Sequence, residues 1–364
     1  MYNAGIMVRV EQIAEAVERI APISLAEEWD NCGLQVGDPG AEVHQVLVAL
    51  TPLPEVLDEA EEKGADFLLF HHPLIFEPLK SVITSSYPGD LLARAMHNGL
   101  AVYAAHTSYD AAPAGVSVAL ARTLGLGGPL RVLSPRGALR KLVVFVPEEN
   151  LDAVAKALAQ AGAGVIGDYT ECTFRTRGRG TFRGGEGANP YLGEKGRLEE
   201  VEEVRMETVV PVHTVDYAVK AATAAHPYEE LALDVYPVEG SPEGYGYGRL
   251  GTLPGRLTAE ELGEHVSGSL GFPSRLVADS GRRIETVAAL GGSGGSFIPE
   301  AAASGAHAYV TGDVDYHDAL LAESLGLTVI DAGHAATELP SLEPLALRLA
   351  EKVDVPVEVS RVRR

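Results

Sequence analysis

Apolar positions along the chain follow two alternating patterns. Between residues 45 and 137 short apolar runs, "QVLVALT", "DFLLF" and "AVYAAH", alternate with stretches of helical spacing, "LPEVLDEAEEKG", "DLLARAMHNG" and "GVSVALARTLG". Runs of strand length separated by helix-length amphipathic segments predict βαβ units on a mostly parallel sheet. Ahead of them, Val10, Ile13, Val17 and Ile20 in "VRVEQIAEAVERI" recur as one face of a helix, not as the apolar block of a signal peptide.

The pattern breaks at "LSPRGAL". From Lys141 to about Glu239, "KLVVFVPEENLDAVAKALAQAGAGVIGDY" reads strand, helix, strand, and "METVVPVHTVDYAVKAATAAHPYEELALDVY" reads the same way again. Two such halves around a loop-rich middle predict a small ferredoxin-like α+β unit. After the glycine-rich "EGSPEGYGYGRLG" the first pattern resumes, with strands in "IETVAALGG", "HAYVTGD" and "LTVIDAG" and a helix in "VDYHDALLAESLG". The expected fold class is therefore a split α/β domain with a mostly parallel sheet. Its halves, 1–138 and 241–364, flank an inserted ferredoxin-like α+β domain at 139–240.

Composition narrows the class. At 364 residues the chain exceeds the roughly 250 that a single core usually serves, and 46% apolar with 22% charged residues is a globular balance. No window approaches the roughly 20 uninterrupted apolar residues of a bilayer span, so a cytoplasmic protein without a membrane partner is expected. Cys32 and Cys172 are too few for a disulfide framework or a thiolate zinc site. A net charge of -22 repels phosphodiester backbones, so nucleic acid is not an expected partner. The local exception is "FRTRGRGTFRG", where Arg175, Arg177, Arg179 and Arg183 gather. It is read as a mobile, solvated hairpin tip, with an anion-binding or RNA-binding loop or a subunit contact as alternatives.

Candidate chemistry sits where apolar runs end. "FLLF" leads into His71 and His72, "AVYAA" into His106 and Asp110, and "LTVID" into His334 and Glu338. In open parallel sheets ligands bind beyond the carboxyl ends of the strands, so the three segments are expected to converge. His72 precedes a proline and is held extended. His334 and Glu338, four apart, share one face if a helix begins there. Imidazoles and carboxylates together suit zinc, iron or manganese better than calcium.

Three further segments are more ambiguous. Gly291, Gly292, Gly294 and Gly295 follow a strand, as a tight βα turn or a phosphate cradle. "TGDVDYHDA" offers Asp313, Asp315, His317 and Asp318, with His317 either a general acid/base or part of a helix start. "WDNCGLQVGDPG" is either an active-site loop or a turn around a buried Trp29.

Taken in order, "WDNCGLQVG", "HHPLIF", "HTSYD", "VTGDVDYHDA" and "DAGHAATE" resemble the NIF-three-like family of dinuclear metal proteins, the GTP cyclohydrolase I type 2 homologs. The insert, with "AHPYEELALDVYP", is similar to the PII-like or CutA-like insertion of the longer bacterial members. The resemblance implies two divalent metal ions per subunit, held by His71, His72, Asp110, His334 and Glu338, with Glu338 bridging. It also implies a homo-oligomer, a toroidal hexamer, and hydrolysis of the small molecule GTP to formate and dihydroneopterin triphosphate. For that reaction, water activated at the metals would attack C8 of guanine. By their positions, a second metal or His106 would steady the developing charge, His317 would shuttle protons, and the glycines at 291–295 would hold the triphosphate. Rival readings are a dinuclear phosphoesterase and a non-catalytic metal-binding scaffold or regulator whose insert senses a small molecule.

Overall fold

The computed structural model describes residues 8–363, and the chain divides into two compact units. One takes in the described chain up to Pro135 and resumes at Gly244; the other is Arg136–Glu243.

The first unit holds two large sheets and a two-stranded antiparallel pair, Val8–Arg9 with Glu42–Val43, where one mostly parallel sheet was expected. The strands of one lie in the spatial order Val357–Val359, Val46–Ala49, Phe67–Phe70, Ala101–Ala104, Gly33–Val36. All its pairings are parallel except the last. Its central strands read as continuous apolar runs because both faces are covered. Val46, Val48, Phe67 and Leu69 pack on one side with the helices Val10–Glu18 and Leu342–Ala350. Leu47, Ala49, Leu68 and Phe70 face the opposite way, toward Pro54–Lys63 and Gly89–His97. Each such side chain contributes about 1.5–3 kcal/mol when fully buried.

The other sheet is mixed. Its order is Arg275–Ala278, Thr328–Asp331, Ala308–Gly312, Ile284–Ser293, Gly246–Leu257, Gly127–Pro135. Only the inner strands from Ile284, Ala308 and Thr328 run parallel, and the flanking pairings are antiparallel. Residues 127–135 and 246–257 form long antiparallel neighbours across the point where the second unit is inserted, a pairing that the helical and strand periods around them do not announce.

In the second unit the strands Leu139–Val146, Phe174–Arg183, Leu198–Pro211 and Leu233–Val238 are joined through the helices Leu151–Gln160 and Val215–Ala225. The sheet order puts the last strand beside the first, then the third, then the second, all antiparallel. The strand expected in "AGVIGDY" is instead a turn with one isolated bridge, Ile166 to Tyr169. Gly162, Gly164 and Gly167 all take positive φ there, which bends the chain out of an extended run. The arginine-rich segment is likewise no hairpin tip. It forms the edge strand Phe174–Arg183, its alternate arginines opposing the acidic strand that begins at Leu198. Arg175 pairs with Asp152, Arg177 with Glu148 and Arg179 with Glu200, so the charges stay solvated and locally matched.

Arg249 locks the segment that carries Asp110. It is buried, and donates from Nη1 to the carbonyls of Gly246 and Gly248 and from Nη2 to those of Ala112 and Gly244. Burial pushes its pKa down to about 10, still charged at neutral pH. Arg249→Met leaves these carbonyls without their charged donor and should cost about 3 kcal/mol. The urea midpoint of the purified variant measures this; an unchanged midpoint would mean the carbonyls find other partners.

Candidate metal centre

The carboxyl ends of strands from both large sheets of the first unit meet at one place. Phe67–Phe70 delivers His71 and His72; its neighbour Ala101–Ala104 delivers His106, which precedes the short helix Thr107–Asp110. From the other sheet, Thr328–Asp331 leads through Gly333, at φ +82°, into the helix His334–Glu338. His334 and Glu338 fall on one face as their spacing requires, with Nε2 to Oε1 at 3.1 Å.

Each histidine is tethered through Nδ1. His71 Nδ1 lies 3.0 Å from the Ala105 carbonyl, and His72 Nδ1 3.0 Å from Thr51 Oγ1. His106 Nδ1 lies 2.9 Å from Asp30, and His334 Nδ1 2.7 Å from Asp313. Where the partner accepts, Nδ1 carries the proton and Nε2 is left with a lone pair, the arrangement of histidines that bind metals. The Nε2 atoms converge. His71 Nε2 is 3.4 Å from Glu338 Oε1, His72 Nε2 is 3.2 Å from Glu338 Oε2, and the Nε2 atoms of His72 and His334 stand 3.3 Å apart.

Three buried atoms here have no hydrogen-bond partner among the described residues: His71 Nε2, Asp110 Oδ1 and Glu338 Oε2. Leaving such atoms unmatched costs free energy, and a cation would satisfy them together. Two donor groups, His71–His72–His106 and His72–His334–Glu338, each keep their ligating atoms within 4.8 Å of one another. These clusters can bind a metal ion.

The charges of these groups are strongly interdependent. Burial opposes charge on His71, but the carboxylates of Asp110 and Glu338 outweigh it and lift the imidazole to about 9. The hydrogen bond to Glu338 is the main cause raising His334 to about 9. Burial pushes His72 down, and pushes Asp110 up to about 6. Glu338, despite burial, is held far below the usual carboxylate range by His71 and the other imidazoles. A cation therefore competes with protons for this centre.

Several placements differ from expectation. His106, expected to act on substrate, lies within the potential ligand group of His71 and His72. His317 is exposed near the start of Tyr316–Leu325, its ring beside Tyr316; Asp315 caps that helix through Asp318 N–H, and Asp313 is the residue of that segment that reaches the cluster. The amides of Gly292 and Gly294, read as a tight turn or a phosphate cradle, donate within the protein to Thr337 Oγ1 and the Gly312 carbonyl. The glycines instead permit close approach: a Cβ on Gly292 would come within 2.5 Å of Glu338 Oε1, and one on Gly312 within 2.7 Å of the His334 nitrogen. Trp29 is 61% exposed, not buried. Its ring centroid is 6.2 Å from that of His106 and 5.9 Å from that of Phe76. Asp30, beside it, also accepts from Thr107 N–H and Oγ1–H and from Cys32, and is held well below its ordinary pKa by His106 and Thr107 against the effect of burial.

Sequence patterns missed Asp30, Thr51 and Asp313 as partners of the histidines. Asp30 had a signal, in "WDNCG"; Thr51 follows "VLVAL" at a strand end and Asp313 follows "YVTG" at another, the same position that marked the histidines.

Fold and site together define a class: a mixed α/β protein of several sheets whose histidine and glutamate clusters can bind a metal ion. The chain belongs to the Duf34/NIF3 (NGG1p interacting factor 3) family, whose profile matches residues 8–364. It is 42% identical over 332 residues to the GTP cyclohydrolase 1 type 2 homolog of Bacillus subtilis (strain 168), covering 90% of this chain and 89% of that one. The homolog of the same name in Mycobacterium tuberculosis is 37% identical over 340 residues, 92% of this chain and 89% of the relative. Among solved structures, the Bacillus cereus protein related to NIF3 superposes with a TM-score of 0.87 at 41% identity, covering 98% of both chains. Staphylococcus aureus protein SA1388 superposes with a TM-score of 0.72 at 29% identity, covering 98% of this chain and 97% of that one. No helix among the described residues is long and apolar enough to cross a membrane.

Gly292→Ala tests the packing of the centre. The residue has φ +74°, and the new methyl group would press on Glu338 Oε1. Zinc affinity of the purified variant, measured by competition with a chromogenic chelator, should fall at least tenfold, in line with the loss that follows disturbance of a ligand's surroundings. Affinity equal to the parent's would show that Glu338 does not hold the ion.

Proposed function

We propose that the protein is a dinuclear metal-dependent hydrolase of the GTP cyclohydrolase type, converting GTP and water to formate and dihydroneopterin triphosphate. The observation that carries the reading is the pair of donor groups sharing His72, with buried, unmatched Nε2 and carboxylate atoms between them. The names of the B. subtilis and M. tuberculosis relatives support a small-molecule substrate of this kind.

In this reading His71, His72, Asp110, His334 and Glu338, with His106 beside them, would hold the divalent ions. Support for a shared role comes from Glu338, whose Oε1 lies 3.4 Å from His71 Nε2 and 3.1 Å from His334 Nε2 while Oε2 lies 3.2 Å from His72 Nε2. Zinc, iron and manganese all suit such donors. The chemistry supplied by bound ions is Lewis-acid polarisation and a water of lowered pKa. Asp30 keeps the proton of His106 on Nδ1 and so fixes the face that its Nε2 presents. Trp29 and Phe76 lie edge-on to His106, and their exposed faces offer an aromatic wall for a planar base.

The same proposal includes a cytoplasmic homo-oligomer, a hexamer, and a PII-like or CutA-like character for the second unit. The helix Tyr316–Leu325 supports association, since Tyr316, Leu320, Leu321 and Leu325 are all exposed. The insert's character is supported by its strand-helix-strand repeat and its four-stranded antiparallel sheet.

Formate release from GTP by protein reconstituted with zinc, iron or manganese tests the reading. Formate is expected from the parent, with a loss of at least 100-fold in Glu338→Ala together with loss of metal. Inorganic phosphate without formate would replace the proposal with a phosphoesterase. Two bound metals without turnover of any nucleotide would replace it with a scaffold or regulator.

A further inference from the structure

Two motifs have no part in the metal centre: the arginine- and glycine-rich "FRTRGRGTFRG" and the "HPYEE" that follows the helix Val215–Ala225. Within the second unit they line one cavity of about 380 Å³. That volume lies in the range of small-molecule sites, roughly 300–1,000 Å³. We propose that this cavity is a binding site for a planar, cationic nitrogen compound, an aromatic amine or amidine, formed entirely by the second unit.

The walls are aromatic. Phe145, Phe182, Tyr191 and Tyr228 face the cavity, with the two tyrosine rings 6.0 Å apart and inclined at 43°. Their positions are fixed by polar contacts behind them. His226 donates from Nε2 to the Phe145 carbonyl at 3.0 Å and accepts the Tyr228 amide at Nδ1, 3.1 Å away. This pairing sets one neutral tautomer and holds the imidazole edge-on to the Tyr228 ring at 4.8 Å. The Tyr191 hydroxyl donates to Glu149 at 3.0 Å. Aromatic faces held in this way attract cations.

The polar groups at the cavity are acidic. Glu203 and Glu230 line it, and among the described residues no cation lies within salt-bridge distance of either. The neighbouring Arg177 and Arg179 are paired elsewhere, with Glu148 and Glu200. Gly180 is what lets Glu203 lie across the edge strand, because a Cβ there would come within 2.3 Å of Glu203 Oε2. The Tyr228 hydroxyl is buried beside Glu203, and burial together with that carboxylate raises its pKa. An anion would meet carboxylates, and a neutral apolar molecule would desolvate Glu203 without supplying a positive charge beside it. A flat cation matches both features, stacking on the tyrosines and donating N–H to Glu203.

The test uses the full-length protein and benzamidine as probe, followed by ligand-observed NMR, with benzoate as the anion of matched shape. Benzamidine is expected to bind saturably, at millimolar dissociation constant or tighter, and benzoate at least tenfold more weakly. Tyr228→Ala and Glu203→Gln should each weaken benzamidine at least tenfold, with zinc content unchanged because neither residue belongs to the metal centre. If Tyr228→Ala fails to fold, Glu203→Gln, which keeps shape and removes only charge, decides the matter. No saturable binding, binding of benzoate as tight as benzamidine, or affinity unmoved by Glu203→Gln would each overturn the proposal.

Discussion

The candidate site depends on the tethering of the imidazoles through Nδ1. A carbonyl, a threonine hydroxyl and two aspartates hold His71, His72, His106 and His334 respectively, and with Nδ1 engaged in each, Nε2 faces Glu338 or its neighbours. The tethers lie on segments distant in sequence, such as Asp30 and His106 or Asp313 and His334. Moving any of these loops turns an imidazole as well as shifting it. The close contacts at Gly292 and Gly312 belong to the same constraint, since they leave Glu338 and His334 little room to retreat.

This arrangement draws on both large sheets of the first unit. One sheet supplies His71, His72 and His106 from adjacent strand ends, and the other supplies Asp313, His334 and Glu338. Each keeps parallel strands where it contributes to the cluster, because parallel neighbours end on the same edge and set their following residues side by side. The antiparallel strands lie at the margins, where no ligand is needed. Arg249 then ties the Ala112 carbonyl to the chain re-entering after the insertion, so the segment bearing His106 and Asp110 is fixed from behind.

Much of this was legible in the sequence. The apolar runs announced the central strands, and the placing of His71, His106 and His334 just beyond three of them announced which side chains the fold would bring together. The spacing of His334 and Glu338 gave their common face. What periodicity cannot give is partnership across the fold. Nothing local distinguishes Asp313 from Asp315, Asp318 or His317, and only tertiary contact brings the first of these to an imidazole while Asp315 caps a helix. The glycines at 291–295 were ambiguous for a similar reason: a phosphate cradle and a close packing of backbone against ligands call for the same residue. In the second unit, glycine at 162, 164 and 167 overrode an apolar run, and a basic stretch that resembled a loop alternated with the period of a strand.

The central claim concerns which ring nitrogens face the centre, and long-range ¹H–¹⁵N correlation of the histidine imidazoles in metal-free and zinc-loaded protein addresses it directly. The account predicts that with zinc bound His71, His106 and His334 keep a proton on Nδ1 while Nε2 shifts as a metal-bound nitrogen. Protonated Nε2 atoms that zinc leaves unmoved, or ligation through Nδ1, would contradict it.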